Sequence, residues 1–201
     1  MLPQPAVGSV ADIEPGRIKV FGVIHIVFGS LGLMNVVGMI GMEIFREPFI
    51  RLTGRGSSEE WIAVQVQMYR DLSPSTWISI VISLIVSALI LQAGIALVRR
   101  RQSSVGASNT YALASLIAKG ASVLLFYVMV MPVMSRHLEP LLNESIPGSD
   151  PADLAPVLAG IKIAMVVAGV LAPLLGAIYP LCTLVMLNKP QVKEFLAKNG
   201  T

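Results

Sequence analysis

The sequence predicts an all-α integral membrane protein, a bundle of four transmembrane helices with both termini in the cytoplasm and short helical outer loops. Apolar residues make up 54% of the chain and charged residues 13%, about half of the roughly 25% found in soluble domains. A helix needs about 20 apolar residues to cross the ~30 Å hydrocarbon core. Three charge-free runs meet that length: 20–42, 72–98 and 163–188.

The first two spans are predicted at about 18–43 and 76–98 within a transmembrane domain of residues 17–190. Residues 1–16 lack a periodic apolar face, so we expect a flexible cytoplasmic tail. Between the spans, Ser57 and Glu60 form a capping box, and Ser73-Pro74 is a helix stop. The apolar residues between these signals share one face, which predicts an amphipathic helix on the membrane or over the bundle. A partner-docking helix is the alternative.

The third span is predicted at about 111–135 and the fourth at about 157–188. Lys119 interrupts the third run and must enter the membrane, because residues 120–135 alone are too short to cross it. Asp150-Pro151 is a good helix start. A helix over 151–187 would be about 55 Å long and would overshoot the hydrocarbon. We therefore expect an outer lid over 44–76 and 136–160, and a cytoplasmic tail at 191–201. Pro132, Pro173 and Pro180 should bend their helices.

The distribution of Lys and Arg predicts the orientation. The side of the membrane that carries both termini has more basic residues than the other side, and its segments are shorter. The positive-inside rule therefore favours a cytoplasmic location for both termini. Arg99, Arg100 and Arg101 are the strongest indication, and we expect them to contact anionic lipid headgroups. Nucleic acid is not expected as a partner, because no basic stretch is interleaved with stacking aromatic residues.

Small residues recur at every fourth position along the fourth span. This ridge consists of Gly160, Ala164, Ala168, Ala172 and Gly176. Small residues let helices approach closely in lipid. We expect the ridge to pack inside the protein's own bundle against the glycine-rich first span (Gly22, Gly29, Gly32, Gly38 and Gly41), with a homodimer interface as the alternative.

Polar residues from all four spans lie at a similar depth, about 9 to 15 Å from the cytoplasmic ends at 1.5 Å per residue. They form a hypothetical inner-leaflet polar layer: His25, Gln92, Lys119, Tyr179, Cys182 and Thr183. A neutral His25 could accept a hydrogen bond from Lys119 and donate one to Gln92. In the alternative interpretation, Lys119 snorkels alone, His25 is a satisfied core residue, and Gln92 bonds a backbone carbonyl.

The sequence contains no recognisable catalytic, cofactor or metal-binding set. Cys182 is the single cysteine, His25 is the single histidine in a span, and phosphate-loop, dinucleotide and zinc-protease motifs are missing. We therefore expect an accessory, assembly or scaffold subunit of a membrane complex, with the lipid bilayer and other membrane subunits or a second copy as partners. The alternative is a small oligomeric channel or transporter lined by the polar layer.

Two segments, IHIVFGSLGLM in the first span and YPLCTLVMLNKPQVKEFL at the end of the fourth, resemble small four-span bacterial membrane proteins of uncharacterised function. In that group a Tyr-Pro in the last helix precedes a Leu-Asn-Arg/Lys-Pro-x-Val exit. The resemblance implies a four-span fold in the bacterial cytoplasmic membrane and no particular activity.

Overall fold

The computed structural model describes residues 16–145 and 151–200 of the chain. The chain is all-α, as predicted. Its helices are α1 (Gly16–Thr53), α2 (Glu59–Val98), α3 (Ser104–Leu125), α4 (Met131–Ser145), α5 (Pro151–Leu187) and α6 (Pro190–Asn199), and a π-helical turn, Phe126–Val130, joins α3 to α4. The predicted tail 1–16, apart from Gly16, and the predicted cap Asp150 lie outside the described residues.

Four helical stretches are long and apolar enough to cross a membrane, by length and composition. They are Gly16–Thr53, Glu59–Val98, Ser104–Leu142 and Leu154–Leu187. The helices extend well past the predicted spans, as the expected lid requires. The predicted long helix over 151–187 is confirmed, because α5 has these bounds and 37 residues.

The predicted helix stop at Ser73-Pro74 is wrong, because α2 runs through Pro74 without a break. A proline inside a helix removes one N–H donor, and nearby hydroxyls can compensate for it. The Leu72 carbonyl accepts hydrogen bonds from Ser75 Oγ at 2.7 Å and Thr76 Oγ1 at 3.2 Å. These hydrogen bonds add to the helical turn around Pro74, whereas the carbonyl that the proline leaves without its N–H donor is that of Arg70, four residues earlier.

The predicted capping box at Ser57 and Glu60 is wrong, because the N-cap serine is the next residue and Trp61, not a Glu or Gln, stands three positions after it. Ser58, not Ser57, precedes the first residue of α2, and its Oγ accepts a hydrogen bond from the Trp61 N–H at 3.0 Å. This is the bond that an N-cap serine makes to the third helical residue. Glu59 and Glu60 then occupy the first turn, where the helix dipole favours negative charge.

The π-helical turn lies directly before Pro132. The Met131 N–H bonds the Phe126 carbonyl, five residues earlier. A proline ring clashes with the carbonyl four residues before it, here that of Val128. A wider turn relieves such crowding, so the sequence's proline explains the position of the π-helical turn.

The chain divides into two compact units, residues 1–33, 84–116 and 177–201 in the first and 34–83 and 117–176 in the second. In the first unit, most of the expected C-terminal tail forms α6, whose Val192, Phe195 and Leu196 are buried. They pack with Ile18, Leu97, Val105 and Leu187 in one hydrophobic cluster. The second unit contains a network of charged residues that joins α1 to α2.

Glycines in the first unit bring α1 and α2 into close antiparallel contact. A Cβ atom added to any of three α1 glycines would lie within 3.0 Å of an α2 atom; the pairs are Gly22–Val98, Gly29–Leu91 and Gly32–Ser87. These three glycines thus pack on α2, the next helix in sequence, whereas Gly38 and Gly41 have no such neighbour within 4 Å. The expected contact of the first-span glycines with the small-residue ridge of α5 stays a prediction; this α5 ridge consists of Gly160, Ala164, Ala168, Ala172 and Gly176.

Candidate functional site

The first unit buries a histidine, His25, with an exposed fraction of 0%. Its Nδ1 shares a hydrogen bond of 2.6 Å with the Tyr179 hydroxyl. Its Nε2 is buried and has no hydrogen-bond partner among the described residues. The hydrogen-bond partner of His25 in the first unit is thus a tyrosine from α5, a pair that was not predicted from the sequence.

Aromatic rings surround this pair. The His25 ring makes edge contacts with Phe21, Tyr111 and Tyr179 at centroid distances of 6.2, 5.2 and 5.6 Å. Phe28 packs edge-on to Tyr179 at 5.0 Å. Edge-to-face packing of this kind adds about 0.5–1.5 kcal/mol per pair beyond burial. The cluster therefore fixes the histidine ring in one orientation.

Glycine in α2 makes room for the histidine. A Cβ added to Gly94 would lie 2.8 Å from His25 Cβ and 2.8 Å from the Ile26 amide nitrogen. Because one of these atoms belongs to the backbone, the contact could not be relieved by a side-chain rotation. Gly94 is thus a residue of this site that composition and motif searches miss.

The other members of the expected polar layer differ in their exposure, and the layer as a whole stays a prediction. Thr183 is buried one turn from Tyr179 and donates a 3.0 Å hydrogen bond to the Tyr179 carbonyl. Gln92 and Cys182 are exposed. Lys119, in the second unit, is half-buried, and its Nζ would lie 3.1 Å from a Cβ added to Gly176. The structure brings together His25, Tyr179 and Thr183.

The α5 ridge is mostly uncovered. Gly160, Ala164, Ala168 and Ala172 are exposed, and a Cβ added to Gly160 would have no neighbour within 4 Å. A Cβ added to Gly176 would lie 3.0 Å from Lys119 Cε, so this end of the ridge has a close neighbour in its own unit. In the most apolar 18-residue stretch of α5 no residue is buried, whereas 39% of the residues in the corresponding stretch of α2 are buried. The chain's described residues leave this face open.

The three arginines expected to contact lipid headgroups follow the C-terminus of α2. The Arg101 and Arg100 amides bond the Ala96 and Leu97 carbonyls, both at 3.0 Å, and Arg100 has a φ of 51°. This is a Schellman cap with arginine where glycine is usual. All three side chains are exposed, and cations at this end also complement the helix dipole.

A network of ion pairs in the second unit was not predicted from the sequence. Glu43 pairs with Arg46 and accepts a hydrogen bond from Ser73. Glu47 bonds Arg51 at 3.0 Å on its own helix and Arg70 at 3.1 Å on α2. The pairs within α1, Glu43–Arg46 and Glu47–Arg51, could have been predicted from the sequence, because residues three or four apart are neighbours on a helix. The partners on α2 could not be identified without the fold.

Arg46 joins the two helices by further contacts. Its Nη1 donates a 3.0 Å hydrogen bond to the Tyr69 carbonyl, and its guanidinium carbon lies 5.0 Å from the centre of the Tyr69 ring. The hydrogen bonds from Arg51 and Arg70 hold the pKa of the Glu47 carboxyl below its usual range. These charges lie beyond the charge-free runs, on the side expected to be outside.

A contact between a histidine and a carboxylate joins α4 to α2. His137 Nε2–H donates a 2.8 Å hydrogen bond to Asp71 Oδ2, and Gln67 donates one of 2.9 Å to Asp71 Oδ1. The hydrogen bond from His137 holds the pKa of the Asp71 carboxyl below its usual range. Among the residues described, no group of three His, Cys, Asp or Glu side chains could hold a metal ion.

Comparison with protein-family models, curated proteins and solved structures finds no match.

Proposed function

We propose that the chain is a multi-pass protein of the bacterial cytoplasmic membrane, with four transmembrane helices and both termini in the cytoplasm. Four long apolar helices support this assignment. Large apolar side chains such as Met34, Val37 and Ile117 are at least 70% exposed. Exposing apolar surface to water costs about 25 cal/mol per Å², whereas exposing it to lipid does not carry this cost. The exposed arginines after α2 supply the contact with anionic headgroups on the cytoplasmic face.

We further propose that the protein is an accessory or scaffold subunit without catalysis of its own. The open α5 ridge carries this proposal. In lipid, helices associate through close packing of small residues rather than through hydrophobicity. A ridge that the chain's own helices leave uncovered is thus suited to a transmembrane helix from another subunit or a second copy.

The buried histidine supports a scaffold over the alternative of a channel or transporter. A permeation path lined by the polar layer would need water at His25, but its side chain is fully buried among aromatic rings. Gln92 and Cys182, two further residues of the expected layer in the first unit, are exposed, whereas Thr183 is fully buried. This arrangement favours a packed core.

Mass measurement of the protein purified in a mild detergent tests the subunit proposal. We expect a particle heavier than the 21.5 kDa chain, with its partner identified by mass spectrometry. The double variant Ala164→Leu/Ala168→Leu should reduce the particle to the single chain, because bulky residues prevent close helix approach. Val167→Leu, also exposed on α5, is the matched control and should leave the mass unchanged. A wild-type chain that purifies alone would contradict the proposal.

A further inference from the structure

The ion-pair network of the second unit surrounds a cleft between α1 and α2. The cleft has a volume of about 260 Å³, and its charged lining consists of Glu43, Arg46, Glu47 and Arg70. Arg70 also borders a neighbouring cleft of about 280 Å³ together with Arg51. Typical pockets for drug-sized ligands measure ~300–1,000 Å³. The size of the cleft therefore suits a small polar group.

The hydrogen-bonding groups of the cleft favour an anion. Three of the four carboxylate oxygens accept hydrogen bonds, Glu43 Oε1 from Ser73 and the two oxygens of Glu47 from Arg51 and Arg70. Glu43 Oε2 forms an ion pair with Arg46 and has no hydrogen-bond partner among the described residues. A guanidinium has five N–H donors, and the Arg70 contact with Glu47 uses its Nη2. The side chain of Arg70 is 65% exposed. The two arginines that line the cleft balance its two glutamates, so the unused N–H donors of Arg70, rather than a net positive charge, favour an anion.

The position of the cleft along the helices indicates the source of that anion. Glu43 directly follows the charge-free run 20–42, and Ser73 lies at the start of the run 72–98. In a four-span protein these are the levels at which hydrocarbon ends and phosphates begin. Ile44 lines the cleft and is 62% exposed, and Phe45 beside it is 65% exposed. Acyl chains would lie against these side chains.

We propose that this cleft binds the phosphate group of a glycerophospholipid from the outer leaflet. Arg70 supplies the principal contact, because the planar guanidinium matches phosphate oxygens in a bidentate geometry. Arg46, fixed by Glu43 and by Tyr69, adds positive charge from the other side of the cleft. This inference rests on the proposed membrane location, and it assigns a lipid site distinct from the basic residues after α2.

Native mass spectrometry of the full chain, released from phospholipid nanodiscs, tests the assignment. We expect phosphatidylglycerol to bind at least about tenfold more tightly than diacylglycerol with the same acyl chains, which lacks the phosphate, corresponding to about 1.4 kcal/mol. Arg70→Gln should weaken phosphatidylglycerol binding roughly tenfold. The matched control is Arg55→Gln, which removes an exposed arginine outside the cleft and should change binding less than about twofold.

Three outcomes would overturn the inference. Equal binding of the two lipids by the wild-type chain would exclude phosphate recognition, independently of any variant. Equal effects of the Arg70 and Arg55 substitutions would exclude the cleft. Displacement of the lipid by inorganic phosphate at the lipid's own concentration would indicate a site for free phosphate. A chain that does not enter nanodiscs would overturn the membrane assignment as well, whereas a reconstituted chain without selectivity overturns this inference alone.

Discussion

At the scale of single residues, His25 has the most constrained surroundings. A buried imidazole has two ring nitrogens that need hydrogen-bond partners. Each nitrogen that lacks a partner costs about 1–3 kcal/mol of stability. Tyr179 satisfies Nδ1, whereas Nε2 has no partner among the described residues. The aromatic cluster and Gly94 hold the ring in this position.

Removing the Tyr179 hydroxyl should destabilise the protein. In Tyr179→Phe, the Nδ1 of His25 loses the hydroxyl group that bonds it, so the free energy of unfolding should fall by about 1–3 kcal/mol. Thermal unfolding in detergent measures this change. Tyr127→Phe, which alters a 44% exposed tyrosine, should be close to neutral. The pair His25→Leu and Tyr179→Phe should be less destabilising together than the sum of the single changes; strict additivity would contradict the hydrogen bond.

The contact between Asp71 and His137 should make stability depend on pH in the acid range. Because the pKa of Asp71 is lowered from 3.8, its contribution to stability is present above the unfolded-state pKa and is lost as pH falls through the folded-state pKa. Unfolding measured from pH 6 to pH 2 should show this loss. Asp71→Asn should reduce this loss of stability at acid pH. Glu60→Gln, which changes a carboxylate of the same helix outside this contact, should leave it unchanged.

At the scale of helices, the contact between α1 and α2 depends on glycine at defined positions. The close pairs are Gly22–Val98, Gly29–Leu91 and Gly32–Ser87. The residue number on α2 falls as the number on α1 rises, so the two helices run antiparallel along this contact. The nearest atoms at Gly29 include the backbone of Leu91, at 3.0 Å from an added Cβ. Such a contact cannot be relieved without moving a helix.

Alanine substitutions on α1 should therefore differ sharply with position. Gly29→Ala should lower the free energy of unfolding by about 1–3 kcal/mol through overpacking. Gly38→Ala, with no added contact within 4 Å, should be neutral or slightly stabilising, since alanine favours a helix by up to about 1 kcal/mol over glycine. Equal stability of the two variants in chemical denaturation would contradict this helix contact.

The sequence predicts the helices better than it predicts their contacts. Length and apolar runs suffice for α5, whose bounds are those expected. The break expected at Pro74 fails because local rules do not weigh the hydroxyls of Ser75 and Thr76, which stabilise the turn. The partners of His25 and Glu47 come from distant helices, so spacing along one helix does not reveal them.

At the scale of the whole molecule, charge distribution determines the proposed orientation. Labelling of single cysteines in a Cys182→Ser background tests it. Ser57→Cys and Ser103→Cys both introduce the thiol at an exposed position. A membrane-impermeant maleimide should label the first in intact cells and the second only after permeabilisation, because positive charge favours the cytoplasmic side. The reverse pattern would invert the topology.

Binding of another transmembrane helix to the α5 ridge can be measured by cross-linking in native membranes, with Ala168→Cys in the Cys182→Ser background. The matched control is Ile163→Cys, at an exposed position about 140° around the helix at 100° per residue. We expect a product heavier than the single chain for the first variant and little for the second. Equal cross-linking of the two variants, or none from Ala168→Cys, would exclude a partner helix on this ridge.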